Sequence, residues 1–279
     1  MKKFLSVIMS VVMAVMGTSC GAGSDAPAAE ETSAAETSQA AVSETEQTTV
    51  SEETEMTISR PELTKDMKLI ALTFDDGPNL TTTNSVIDKL EKYSIVGSFF
   101  VIGNNITGNE SEGTARVMKR AHDMGCEINS HSQTHSDMTK LTEDEITAEI
   151  EFTSQKIEEI TGEAPKFFRP PYIAVNQTMF DTIDMPFIAG VGAEDWLDSV
   201  TADMRAQKIL DQARDGGIIL LHDAQGNTMT VEALDTIIPT LLDEGYTFVT
   251  VSELFAAKEV EPAKGIVYSN SDQTTMYGS

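Results

Sequence analysis

The chain has 279 residues and carries 45 acidic against 19 basic side chains, a formal net charge of -26. So acidic a chain is unsuited to binding nucleic acid or docking electrostatically on anionic lipid, since both need clustered Lys and Arg. Its 40% hydrophobic content supplies a real core and argues against wholesale disorder.

The N-terminus reads as an export signal, residues 1–20. Lys2 and Lys3 are followed by an apolar run from Phe4 to Met16, then by Gly17, Thr18 and Ser19 ahead of Cys20. The run is too short to span a bilayer comfortably, which takes about 20 apolar residues. Cys20 after small residues resembles a bacterial lipoprotein signal, with Cys20 lipidated. The expectation is an exported protein, either anchored at the cell surface by that lipid or secreted. Residues 21–59 hold nine acids and no Lys or Arg, are rich in Ser, Thr and Ala, and show no apolar period. Such a segment buries too little to offset its ordering entropy, so it is expected to be a disordered acidic spacer. Only one cysteine besides Cys20 is present, Cys126, expected to be a buried filler rather than half of a disulfide framework.

From residue 60 to 258 short apolar runs alternate with amphipathic ones. Strands are expected at Leu69 to Phe74, Ser98 to Ile102, Glu127 to Asn129, Lys166 to Arg169, Phe187 to Ile188, Ile218 to Leu221 and Phe248 to Val251. Helices are expected at Asn84 to Tyr93, Thr114 to Met124, from a Thr142/Glu145 capping box to Ile160, at Val200 to Arg214 and at Val231 to Glu244. This alternation, with no two-residue hairpin signal, predicts an α/β fold with a parallel sheet and crossover helices, open or closed as a barrel. The last stretch, residues 259–279, reads as a loose polar tail.

Polar residues gather where the strands end. Asp75 and Asp76 follow the first strand, and His131 and His135 follow Glu127 to Asn129. Arg169 and Tyr172 follow Phe168, Glu194, Asp195 and Trp196 follow Ile188, and His222 and Asp223 follow Leu221. In a barrel these positions face the active site. The i, i+4 spacing of His131 and His135 suits two ligands of one metal ion on a helical turn. Asp75-Asp76 offers a carboxylate as the third, leaving a position for water. A second carboxylate is available as a base, Arg169 to keep it ionised and His222 to protonate a leaving group. No Gly-x-Ser-x-Gly elbow occurs, which counts against a serine hydrolase.

Five motifs in combination resemble the NodB-like polysaccharide deacetylases, carbohydrate esterase family 4. They are Thr73-Phe74-Asp75-Asp76-Gly77-Pro78, His131-Ser132-Gln133-Thr134-His135, Arg169-Pro170-Pro171-Tyr172, Asp195-Trp196 and Leu220-Leu221-His222. The resemblance covers nearly all of Lys68 to Leu254 and implies a distorted (β/α) barrel with fewer than eight strands. It implies that Asp76, His131 and His135 bind a divalent metal, most often Zn2+, with Co2+, Mn2+ or Ni2+ as alternatives. It further implies Asp75 as general base, His222 as general acid, Arg169 as the orienting cation and the Tyr172 N–H as an oxyanion donor. Trp196 and Leu220 would line the groove and the acetyl-methyl pocket. The implied reaction is release of acetate from an acetylated polysaccharide by a monomer. The Asp195-Trp196 context and the run after Gly226 favour O-acetyl xylan. N-deacetylation of peptidoglycan or chitooligosaccharide is one alternative, and a non-catalytic glycan-binding lipoprotein is another. One position departs from the family pattern: Gly192 stands where many members place the Asp that steers the catalytic His. That leaves Asp195 or Glu194 for the task.

Overall fold

A computed structural model describes residues 61–274; the signal, the spacer and Cys20 lie outside the described residues. Strand β1 (Leu69–Asp75) is buried along its whole length, as its unbroken apolar run requires. It pairs in parallel with β2 (Ser98–Val101) through its C-terminal half and with β6 (Gly217–His222) along most of its length. β3 (Glu127–Ser130) extends the sheet beyond β2, and β5 (Val191–Gly192) extends it beyond β6. β7 (Thr247–Val249) pairs with the N-terminal half of β1. The crossovers carry helices α1 (Thr82–Lys92), α2 (Ser111–Asp123), α3 (Glu143–Thr161), α5 (Ala202–Gln212) and α6 (Thr228–Asp243). A short α4 (Gln177–Thr182) precedes β4 (Phe187–Ile188), and α7 (Val251–Ala257) follows β7.

Local chemistry sets the helix ends. Thr142 and Glu145 form the expected capping box, each side chain bonded to the other's backbone N–H, and α3 ends on Gly162 at φ 81°. The main core lies between β1, β2 and β6 and the inner faces of α1, α2, α5 and α6, with Phe74 stacked on Phe99 at 5.3 Å. Cys126 is buried in this core, as are the apolar faces read from the sequence.

Two expectations are corrected. Lys166 to Arg169 is not a ladder strand. Only Phe168 bridges, to Ser130 on one side and Phe187 on the other. The side-chain Oδ1 of Asn129 takes the N–H groups of Lys166 and Phe167 at 3.1 and 3.0 Å, so these do not bond to a neighbouring strand's backbone. Nor is the C-terminal tail loose as far as residue 274. Val267–Tyr268 forms β8, parallel to β4. Tyr268 is 2% exposed, sits edge-on to Phe255 at 5.0 Å, and its hydroxyl accepts the N–H of Ala263 at 2.9 Å. Ile218 N–H donates to the Ser269 carbonyl and Ser271 N–H to that of Gly216, which brings residues 269–271 against β6.

The circuit from β6 through β1, β2, β3 and Phe168 to β4 and β8 returns to β6 at the Asn270–Gly217 bridge. The fold is therefore a distorted barrel with fewer than eight full staves, part of its wall made by irregular segments. Removing the buried Tyr268 ring leaves a cavity in this wall. Tyr268→Ala is expected to lower unfolding stability by about 3 kcal/mol, measured by urea titration. An unchanged midpoint would mean that the tail contributes nothing to the wall.

Candidate active site

The parallel register places the reactive groups. Asp75 at the end of β1 is the register partner of His222 at the end of β6 and of Phe100 on β2. Asp75 is 2% exposed, and its Oδ1 accepts from Nη1 of Arg169 at 2.6 Å. The Arg169 guanidinium is fully buried. Its remaining donors go to the carbonyls of Ile188 and Ala189, and its plane lies 4.0 Å over the Phe100 ring. Arg169 is thus the buried countercharge of Asp75.

The chain turns sharply after Asp75. Asp76 has φ 74°, and both carboxylates reach the same imidazole nitrogen: Asp75 Oδ2 lies 3.8 Å and Asp76 Oδ1 3.5 Å from Nε2 of His131. Gly77 follows with no room for a side chain, since a Cβ there would stand 2.4 Å from Oδ2 of Asp223. Asp223 is buried and accepts the Thr83 hydroxyl. Burial first, and then Asp76 and Asp75, push its carboxyl up to about 7.

His131 and His135 converge with ring centroids 4.8 Å apart, but not on a helical turn. The segment is an irregular loop in which Ser132 and His135 have φ 68° and 57°. It is held by the Ser132 hydroxyl accepting His135 N–H, and by Glu149 of α3 accepting the N–H groups of Gln133 and Thr134. His131 Nδ1 lies 2.7 Å from the carbonyl of Arg169. A carbonyl only accepts, so Nδ1 carries the proton and Nε2 presents a lone pair. Burial lowers the pKa of His131 against the opposing pull of Asp75 and Asp76, which favours the neutral, ligating form.

Oδ1 of Asp76 lies 3.5 Å from Nε2 of both histidines, and it is buried with no hydrogen-bond partner. Asp76, His131 and His135 are also the metal-competent cluster found among the described residues, with ligand atoms all within 4.8 Å of one another. An orphaned buried carboxylate oxygen facing two imidazole nitrogens fits a divalent transition metal.

His222 is steered by Asp195. Nδ1 of His222 donates to Oδ1 of Asp195 at 2.7 Å, and the His222 backbone N–H donates to Oδ2 at 2.8 Å. Burial opposes charge on His222. The hydrogen bond and charge of Asp195, with Asp75 and Asp76 beyond, outweigh it and push the imidazolium up to about 9. Burial likewise opposes charge on Asp195, yet His222 holds its carboxyl below the usual range. Glu194 does not share this task, because it pairs with Lys208 at the surface. The question left by Gly192 is answered by Asp195. Three groups behind it were not singled out from the sequence: Arg205, Asn227 and Thr230.

These side chains surround a cleft of about 610 Å³. Trp196 (60% exposed) stands edge-on to His222 at 5.5 Å, and Tyr172 (69% exposed) edge-on to His135 at 4.7 Å. Leu220, Ile173, Gly190 and Gly192 complete an apolar part of the lining, and among the described residues no Lys or Arg lines the cleft. The structure thus gathers the strand-end residues read from the sequence. Arg169 stands behind the wall, and Asp195 lines an adjoining depression rather than this cleft.

An open cleft with a metal-competent triad, a carboxylate–guanidinium pair and a carboxylate–imidazole pair defines a hydrolase-type site. The profile of the family described as polysaccharide deacetylase matches residues 62–184. A peptidoglycan-N-acetylglucosamine deacetylase of Bacillus cereus is 36% identical, the match covering 67% of this chain and 68% of that protein. A bifunctional xylanase/deacetylase of Pseudobutyrivibrio xylanivorans is 52% identical over 71% of this chain and 32% of its own. A family 4 acetyl xylan esterase from Clostridium thermocellum, solved with a cobalt ion, is 42% identical. It covers 74% of this chain and all of that one, with a TM-score of 0.71. The chain belongs to the polysaccharide deacetylase family. It spans only about a third to two fifths of the length of the first relatives it matches.

The raised pKa of His222 has a sign that can be tested. A group whose folded pKa exceeds its unfolded value stabilises the fold below the unfolded pKa and loses that contribution as pH rises through the folded one. In metal-free protein the Asp195–His222 pair should therefore stabilise fully below about pH 6.5 and fade towards about 9. NMR titration of the His222 ring should give a pKa near 9. Asp195→Asn should move it down. An unmoved pKa would show that Asp195 does not set it.

Proposed function

We propose that the chain hydrolyses acetyl esters on a neutral polysaccharide, with O-acetyl xylan the favoured substrate and Zn2+ the favoured ion. The carrying observation is the juxtaposition, through one strand register, of Asp75 and His222, each locked by its own buried partner beside the Asp76–His131–His135 set. A divalent ion held by that set supplies an acidified water and a Lewis acid.

The remaining work belongs to the chain. Asp75, oriented by its ion pair with Arg169, accepts the proton of the attacking water. His222 is charged at neutral pH and has Nδ1 engaged by Asp195, so its Nε2 proton goes to the sugar oxygen. The water oxygen bonds to the acetyl carbon as the bond from that carbon to the sugar oxygen breaks. Acetate and a free hydroxyl result. Tyr172, at φ 59° and on the cleft, is the assigned oxyanion donor through its backbone N–H. Leu220 receives the acetyl methyl, and Trp196 offers a face to a sugar ring.

A lining without Lys or Arg supports a neutral glycan over an anionic one. The xylan-directed names among the similar proteins support the O-acetyl choice. N-deacetylation of peptidoglycan is the second reading, favoured by the deacetylase relatives of that name. The intact donor set and acid–base pairs weigh against a purely binding role. The leader read at residues 1–20 supports export, the protein being either held at the cell surface by a lipid on Cys20 or secreted.

Acetate release from acetylated xylan should exceed that from N-acetylated chitooligosaccharide or peptidoglycan, and a chelator should abolish it. The opposite ranking would reverse the substrate assignment, and no acetate from any of them with metal bound would overturn catalysis. Asp75→Asn should retain metal and lose about 10²–10⁴-fold in kcat, whereas His131→Ala should lose the metal. Metal analysis checks this, and loss from both variants would break the division of roles.

A further inference from the structure

Arg205 lies on α5 and is 1% exposed, yet among the described residues it has no carboxylate within ion-pair distance. Isolated charge is costly to bury, so this guanidinium must be compensated by hydrogen bonds and by a nearby anion. Each of its three nitrogens donates. Nε bonds to the carbonyl of Val200 at 2.8 Å, and Nη2 to that of Leu197 at 3.3 Å. Nη1 bonds to the Thr230 hydroxyl at 2.9 Å and to Oδ1 of Asn227.

Both of these side chains continue to the same atom. The Thr230 hydroxyl lies 2.7 Å from Oδ2 of Asp195, and Nδ2 of Asn227 lies 3.4 Å from it. Direction follows from the chemistry of the donors. Guanidinium only donates, so it occupies an acceptor lone pair on the Thr230 hydroxyl and leaves that O–H to point at Asp195. By taking Oδ1 of Asn227 it also turns the amide so that Nδ2 faces Asp195 Oδ2 and the His222 carbonyl, the latter at 3.0 Å. The carboxylate nearest along hydrogen bonds to this buried cation is therefore Asp195, one side chain removed.

We propose that Arg205, acting through Thr230 and Asn227, is a positioning residue for the Asp195–His222 pair. It fixes Asp195 as an ionised acceptor, so that the His222 ring is held with Nε2 towards the leaving group. Its bonds to Leu197 and Val200 pin the loop that carries Asp195 and Trp196. This rests on the assignment of His222 as the acid.

The test separates proton donation from general damage to the site. An acetylated sugar leaves as a poor alkoxide and needs the acid. 4-Nitrophenyl acetate releases a phenolate that departs unaided. Thr230→Val keeps shape and removes the hydroxyl. It is expected to lower the ratio of kcat on acetylated xylo-oligosaccharide to kcat on 4-nitrophenyl acetate by about 10-fold, a part of the roughly 10²–10⁴-fold that acid–base catalysis contributes, because the acid itself is retained. KM and bound metal should change little. Thr230→Ser should restore most of that ratio, and Arg205→Met should lower it at least as far as Thr230→Val does. An unchanged ratio in folded Thr230→Val and Arg205→Met, or equal losses on both substrates with no rescue by Ser, would overturn the proposal. If the parent protein turns over 4-nitrophenyl acetate but releases no acetate from any glycan, the functional reading fails instead. The separate outcome leaves no confusion between the two.

Discussion

The site depends on one buried ion pair, Asp75 with Arg169. Removing either partner would strand a charge where water does not reach, at a cost of about 3–5 kcal/mol. The pair is also a joint. Through its guanidinium Arg169 grips β1 at Asp75 and the turn after β4 at Ile188 and Ala189. Through its carbonyl it fixes which nitrogen of His131 carries the proton. A single residue thus orients the Asp75 carboxylate, fixes the tautomer of His131 and ties together the segments that carry them. A neutral replacement would disturb all of these together, so a severe loss on changing Arg169 would say little about which one matters most.

The second pair is built by the same logic with different parts. Asp195 is to His222 what Arg169 is to Asp75: a buried partner of opposite charge that fixes orientation. The two pairs meet because β1 and β6 run in parallel and in register. Side chains at equivalent heights on neighbouring strands come within reach of one substrate without any loop having to deliver them. The loops supply the rest, and Asp76, His135 and Tyr172 all take left-handed backbone angles there. Strain of this kind at each of these cleft-lining positions is what a site paid for elsewhere in the fold looks like.

Much of this was legible in the sequence because strand ends are short and the polar residues after them are few. Asp75, Asp76, His131, His135, Arg169 and His222 stand out against apolar runs. The His131–His135 turn was misread because i, i+4 spacing is satisfied by a helix and equally by a tight loop with two positive φ angles. Arg205 belongs to no motif that would mark it in the sequence. Its signal was positional: it shares the buried face of α5 with Ala206 and Ile209, a place where an unaccompanied charge needs a reason. β8 is hard to read from sequence because Ile266-Val267-Tyr268 is a three-residue apolar run in an otherwise polar stretch, too short to show a period. The departure at Gly192 could be posed from sequence but not resolved, since choosing between Asp195 and Glu194 requires knowing which way each side chain faces.

The closure of the wall by β8 has a consequence for how the molecule comes into being. A ribosome delivers β1 to β7 well before residues 267–270, yet β4 gains its β8 partner, and β6 its bridge to Asn270, only when those last residues arrive. Until then an incomplete chain has an open seam beside Phe187, Ile188 and Ile218. Contacts so distant in sequence are slow to form. The nascent domain therefore stays unfinished until residues 267–270 have been made, and a chain cut short before Val267 presents that seam to its neighbours instead of to itself.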